Sequence, residues 1–67
     1  PVFPATGTVS TRGGVLNVRR APNTTSAVIG TLPNGRTVKI IGALNGWYAI
    51  DFGNTTGYVF AGNIKRN

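Results

Sequence analysis

Hydrophobic residues along this sequence fall in short runs separated by glycine, proline and asparagine, and none recurs with the period of an α-helix. The runs are rich in Val, Ile, Thr and aromatic residues, which predicts short strands. A first short strand is predicted at 8–10, and Gly13-Gly14 breaks the chain before a second at 15–19, where Leu16 and Val18 share a face. A polar loop follows over 20–26; Pro22 fixes its backbone and Asn23 can hydrogen-bond its own main chain. Strands are then predicted at 28–32 and 37–41. The Asn34-Gly35 pair between them suits positive φ angles and predicts a hairpin. Asn45-Gly46 repeats that signal before the strand at 47–52, Gly53-Asn54 turns the chain into 56–59, and Ile64 closes it.

The strand at 47–52 carries the most informative alternation: Tyr48, Ile50 and Phe52 lie on one face, Trp47, Ala49 and Asp51 on the other. Extending the parity gives an inward set of Leu16, Val18, Val28, Leu32, Val38, Ile40, Tyr48, Ile50, Phe52, Val59 and Ile64. Ile29 and Ile41 break the alternation, and the pattern assigns them no place. Five to six short, mostly antiparallel strands with no helix to cover a sheet predict an all-β small barrel, because a sheet that curls on itself buries its apolar face unaided. Residues 1–6 are expected to be a tail or linker, and 7–67 a single domain.

Composition narrows what such a barrel can do. At 67 residues and 7.0 kDa there is room for one thin core. Without cysteine there is no disulfide staple, so stability rests on packing and strand pairing. Seven Lys and Arg stand against one acid, for a net charge of +6, which favours anionic partners. The cations are scattered, though, and solubility alone is a competing explanation of the charge. No stretch is long and apolar enough for a membrane span. The chain opens on Pro1 without a signal-like segment, which suggests a domain excised from a larger protein.

Catalysis is disfavoured by inventory. With no His, no Cys and Asp51 as the sole acid, the protein offers no carboxylate pair, no Ser-His or Cys-His pair and no usual metal shell. The expectation is therefore a non-enzyme without metal or cofactor. Asp51 is read as an exposed strand residue paired with a nearby cation. The glycines match no phosphate-binding loop pattern and read as turn residues.

If Tyr48, Ile50 and Phe52 fill the core, Trp47 is left at the surface, where a large ring marks a binding site more readily than anything else. The competing reading is that its indole covers the end of the barrel. Tyr58 and Phe60 point away from Val59, and Asn17 and Arg19 away from Leu16 and Val18, so all four join Trp47 on the non-core side.

Taken in order, Leu16-Asn17-Val18-Arg19 with Ala21-Pro22, Val28-Ile29-Gly30-Thr31-Leu32, Gly35, Asn45-Gly46-Trp47-Tyr48 and Thr56-Gly57-Tyr58-Val59 resemble the bacterial Src-homology-3 (SH3) domain family over most of the chain. The resemblance implies an SH3-like barrel and a ligand groove of Asn17, Arg19, Trp47, Tyr58, Phe60 and Asn63, with Arg20 as electrostatic support. Many members have Ser-Gly where this protein has Arg20-Ala21, so its loop is more basic and stiffer. Eukaryotic SH3 modules carry an acidic loop that grips basic Pro-rich peptides; the cationic loop here would repel them. Phe60 and Asn63 also replace a proline and a tyrosine of the eukaryotic pattern.

The resemblance implies a cell-wall targeting module that binds a peptide or glycopeptide of peptidoglycan, in an extracellular or wall-associated bacterial protein and commonly tethered to a wall hydrolase. A basic barrel binding nucleic acid or another polyanion is a second possibility, weakened by the absence of a basic stripe. Packing on an adjacent catalytic domain to gate its site is a third.

Overall fold

A computed structural model of the protein describes residues 4–67 and is all-β. Seven strands follow in sequence order: β1 Ala5–Val9, β2 Val15–Arg19, β3 Val28–Pro33, β4 Thr37–Leu44, β5 Trp47–Phe52, β6 Thr55–Phe60 and β7 Ile64–Arg66. A single turn of 3-10 helix, Ala61–Asn63, separates the last two. The strands pair antiparallel in the order β3-β2-β6-β5-β4-β1-β7. The fold is SH3-like. The sheet curls so strongly that all seven strands contribute to one apolar cluster, although the ladder itself stays open between β3 and β7.

Val9, Leu16, Val18, Leu32, Val38, Ile40, Ile50, Val59 and Ile64 form that core, with Ala5, Ile29, Tyr48 and Phe52 packed against it. Two bulges account for the residues that broke the alternation. Gly30 pairs with Val18 and Val28 with Arg19, which leaves Ile29 as an extra residue on β3; Ile40 pairs with Ile50 and Gly42 with Ala49, which leaves Ile41 extra on β4. An extra residue reverses parity beyond it. Ile29 therefore turns toward the core, and Val28, predicted inside, is 47% exposed. Ile41 lies at the surface.

The expected hairpin at Asn34-Gly35 does not form, since β3 pairs with β2 while β4 pairs with β1 and β5. Only Gly35 has positive φ there (89°), and the Arg36 N–H donates to the Pro33 carbonyl at 3.2 Å. That is a type II turn, which splays its flanking strands and carries the backbone across the barrel instead of returning it. By contrast Asn45 (φ 52°) and Gly46 (φ 84°) are both left-handed, and the type I′ turn they make joins β4 to β5 directly.

The first six residues also differ from expectation. Ala5 and Thr6 pair with Ile40 and Lys39 on β4, so the sheet begins inside the segment read as a tail; residues 1–3 of that segment lie outside the described residues. Strand β1 is inconspicuous in the sequence because Gly7 occupies one of its inward positions. A Cβ there would stand 2.6 Å from Cγ2 of Ile64.

Candidate functional site

Register across three strands sets the rings in place. On β5 and β6, Trp47 lies opposite Phe60 and Ala49 opposite Tyr58, while Arg19 on β2 lies opposite Tyr58. Directly opposed residues share a face, so these side groups project from the outer surface of the same sheet whose inner surface carries Ile50 and Val59. Gly57 makes this close stacking of β6 on the core possible: it is buried, and a Cβ there would collide with Cγ1 of Val18.

Trp47 follows the type I′ turn immediately, and the Ala61 N–H donates to the Gly46 carbonyl at 2.8 Å. The turn and the 3-10 segment are thereby tied to each other immediately beyond the ring pair, at the same end of the β5–β6 ladder. The Trp47 and Phe60 rings meet edge to face, with centroids 5.7 Å apart and planes at 82°, an arrangement favoured by the aromatic quadrupole. Trp47 is half-buried, and Phe60 remains 52% exposed.

Beside this pair lies an open depression of about 230 Å³ bordered by Asn17, Arg19, Trp47, Phe60 and Asn63. Five of the six residues expected in a groove therefore come together. Tyr58 does not border the depression and sits half-buried on the same outer face, between Ala49 and Arg19. Arg20 is exposed on the adjoining loop and is also outside the lining. Val15, Leu16 and Thr24 complete the walls. Val15, 60% exposed, carried a legible signal, since its parity on β2 opposes that of Leu16. Thr24 carried none, because its position depends on how the loop folds.

That loop is folded by its own polar groups. Asn23 Oδ1 accepts from the Thr25 and Ser26 amides at 3.2 and 2.7 Å, and the Ser26 hydroxyl lies 3.0 Å from the Ala21 carbonyl. Across its base, Nη1 of Arg19 donates to the carbonyls of Thr24 and Ser26, each at 2.9 Å. Arg19 thus fastens the wall that Thr24 forms, and that nitrogen is committed to the loop.

The remaining polar groups around the depression are uncommitted. The indole N–H of Trp47 and the side-chain amides of Asn17 and Asn63 hydrogen-bond to no partner among the described residues. Asn63 is held through its backbone, its carbonyl accepting from the Ser10 N–H at 2.8 Å. The depression therefore offers an indole donor and two amides that can donate or accept, backed by two rings. Asp51, the one acid, is exposed and borders a separate hollow with Arg36 and Phe52, and it makes no ion pair among the described residues. No cluster of three or more His, Cys, Asp or Glu residues occurs among the described residues.

Such a surface offers a ligand two rings and several unengaged hydrogen-bonding groups. A family model for the bacterial SH3 domain matches residues 14–65, which runs from β2 into β7 and covers every residue of the depression. No curated protein matches the sequence.

Proposed function

We propose a ligand class from one premise: the chain belongs to the bacterial SH3 domain family and is a non-catalytic binding module. Bacterial SH3 domains are often extracellular or associated with the cell wall, and no helix among the described residues is long and apolar enough to cross a membrane. In our reading the ligand is a short, Gly- or Ala-rich peptide of bacterial peptidoglycan, and the module serves to hold an attached wall enzyme near its substrate.

The observation that carries this reading is the pairing of half-exposed aromatic rings with unengaged polar groups in one depression. Trp47 and Phe60, set edge to face, supply an apolar corner against which small side groups can pack. Asn17 and Asn63 reach the peptide backbone, the indole N–H donates to a carbonyl, and Arg20 draws in a peptide carboxylate from the loop. Tyr58 adds a further aromatic surface on the same outer face, between Ala49 and Arg19. Arg19 contributes by shaping the wall as well as by charge.

Nucleic-acid binding gains less support. Single-strand recognition interleaves rings with several cations, whereas here Arg19 is the one cation bordering the depression among the described residues and its Nη1 is held by the loop, and Lys39 and Lys65 lie on β4 and β7.

Sedimentation with purified bacterial cell walls tests the proposal. Wild type should co-sediment, and Trp47→Ala should bind about thirtyfold more weakly, as removal of a central aromatic anchor costs about 2 kcal/mol. Equal binding by the two proteins would remove this groove from consideration. A steep loss of binding with added salt would point instead to a phosphate-driven partner.

A further inference from the structure

The sequence has two Asn-Gly pairs, and the fold treats them in opposite ways. Asparagine followed by glycine is the dipeptide most prone to spontaneous deamidation, because no side group on the second residue hinders its amide nitrogen. That nitrogen must be free to attack, and the asparagine carboxamide free to swing toward it.

At Asn34-Gly35 both groups are tied down. Asn34 Oδ1 accepts from the Thr11 N–H at 2.9 Å, and the Gly35 N–H donates to the Val9 carbonyl at 2.8 Å. At Asn45-Gly46 neither is. The Asn45 carboxamide has no hydrogen-bond partner among the described residues, the Gly46 N–H donates to no carbonyl among them, and both residues are exposed.

We propose that Asn45 is a site of spontaneous modification: its conversion to aspartate or isoaspartate places a new carboxylate in the turn that leads directly into Trp47. The amide nitrogen of Gly46, giving its proton to solvent base, attacks Cγ of Asn45. A bond forms between that nitrogen and Cγ, the bond from Cγ to Nδ2 breaks as Nδ2 takes up a proton from solvent, and ammonia departs to leave a five-membered succinimide. Water then adds to either ring carbonyl. Opening at one gives aspartate; opening at the other gives isoaspartate, whose backbone carries an extra methylene.

The two products have different consequences. Aspartate tolerates the left-handed conformation of Asn45 and leaves the turn intact. Isoaspartate lengthens a two-residue turn whose fit to the strand twist depends on its length, and so displaces Trp47 relative to Phe60. Both reduce a net charge of +6 by one and introduce an acid into that turn. If the ligand is an anionic peptide, as proposed above, either product weakens its binding; the modification itself does not depend on that reading.

The test is to age the folded protein in mildly alkaline buffer at physiological temperature and map the products by peptide mass spectrometry. Asn45 should deamidate about tenfold faster than Asn34, the ratio expected if two modest hydrogen bonds must break at the slower site. In denaturant the two rates should converge. Comparable rates at the two sites in the folded protein, or faster reaction at Asn34, would overturn the proposal. Asn45→Gly, which suits a type I′ turn and has no amide to lose, should remain unmodified at that position with an unchanged Trp47 emission spectrum. Aged wild type should show that emission shifted in its isoaspartate fraction, and an unshifted spectrum there would refute the displacement of the ring. Binding of fresh Asn45→Asp to cell walls is scored separately, so that failure of the ligand proposal leaves the chemistry of Asn45 judged on mass alone.

Discussion

Strands β5 and β6 have an inner and an outer face built from neighbouring residues, and the two are made for different ends. The inner face holds Ile50 and Val59 with no measurable exposure, and Gly57 is present because nothing larger fits against Val18. The outer face holds Trp47, Tyr58 and Phe60, half-buried or exposed, beside amides without partners among the described residues. Apolar area removed from water stabilises the fold; a ring left half in water has affinity still to give. Stability and recognition should therefore separate by parity along the same two strands.

The largest effect should come from the inner face. Ile50→Ala removes a fully buried side group at a cost of about 2–5 kcal/mol, as much as a core of this size supplies in total. Urea denaturation should find this variant largely unfolded before denaturant is added. Gly57→Ala should cost about 1–3 kcal/mol through overpacking against Val18, seen as a lower midpoint with an unchanged slope. On the outer face, Trp47→Ala should leave stability within about 1 kcal/mol of wild type while wall binding falls as described above. A variant that lost both together would collapse the distinction between the faces.

Arg19 lies between the two roles. Arg19→Ala removes the nitrogen that donates to both the Thr24 and Ser26 carbonyls, so loop 20–27 should lose about 1 kcal/mol of local stability. Hydrogen exchange in that loop should quicken while exchange in β5 and β6 stays slow. The smallest effect belongs to Lys39→Gln on β4, expected within about 0.5 kcal/mol for stability and without consequence for wall binding. A marked loss of binding there would favour the polyanion alternative.

Much of this division was legible in the sequence, and the parts that were not have identifiable causes. Alternation from Trp47 to Phe52 separated the two faces correctly because that strand has no bulge and ends in two-residue turns. Parity failed at Val28 because the bulge at Ile29 leaves no mark in composition; the only sign was two adjacent apolar residues where one was expected. Val9 escaped the predicted core because Ala5 and Gly7 give β1 too little apolar bulk to register as a strand. The Asn34-Gly35 turn misled because one dipeptide serves two turn types, and which forms depends on distant partners such as Thr11 and Val9. For the depression, parity brought Asn17, Trp47 and Phe60 to one side, and the family resemblance supplied Asn63. The engagement of Arg19 with its own loop could not be read before the loop was folded.

The most direct test of the outer-face site is a titration of the labelled protein with soluble peptidoglycan stem peptides, followed by amide and indole proton–nitrogen spectra. The indole N–H of Trp47 and the side-chain amides of Asn17 and Asn63 should shift together and saturate with a single affinity, while resonances near Asp51 and Arg36 stay in place. Shifts confined to the Asp51 side, or an unmoved indole at saturating peptide, would contradict the assignment of recognition to this face.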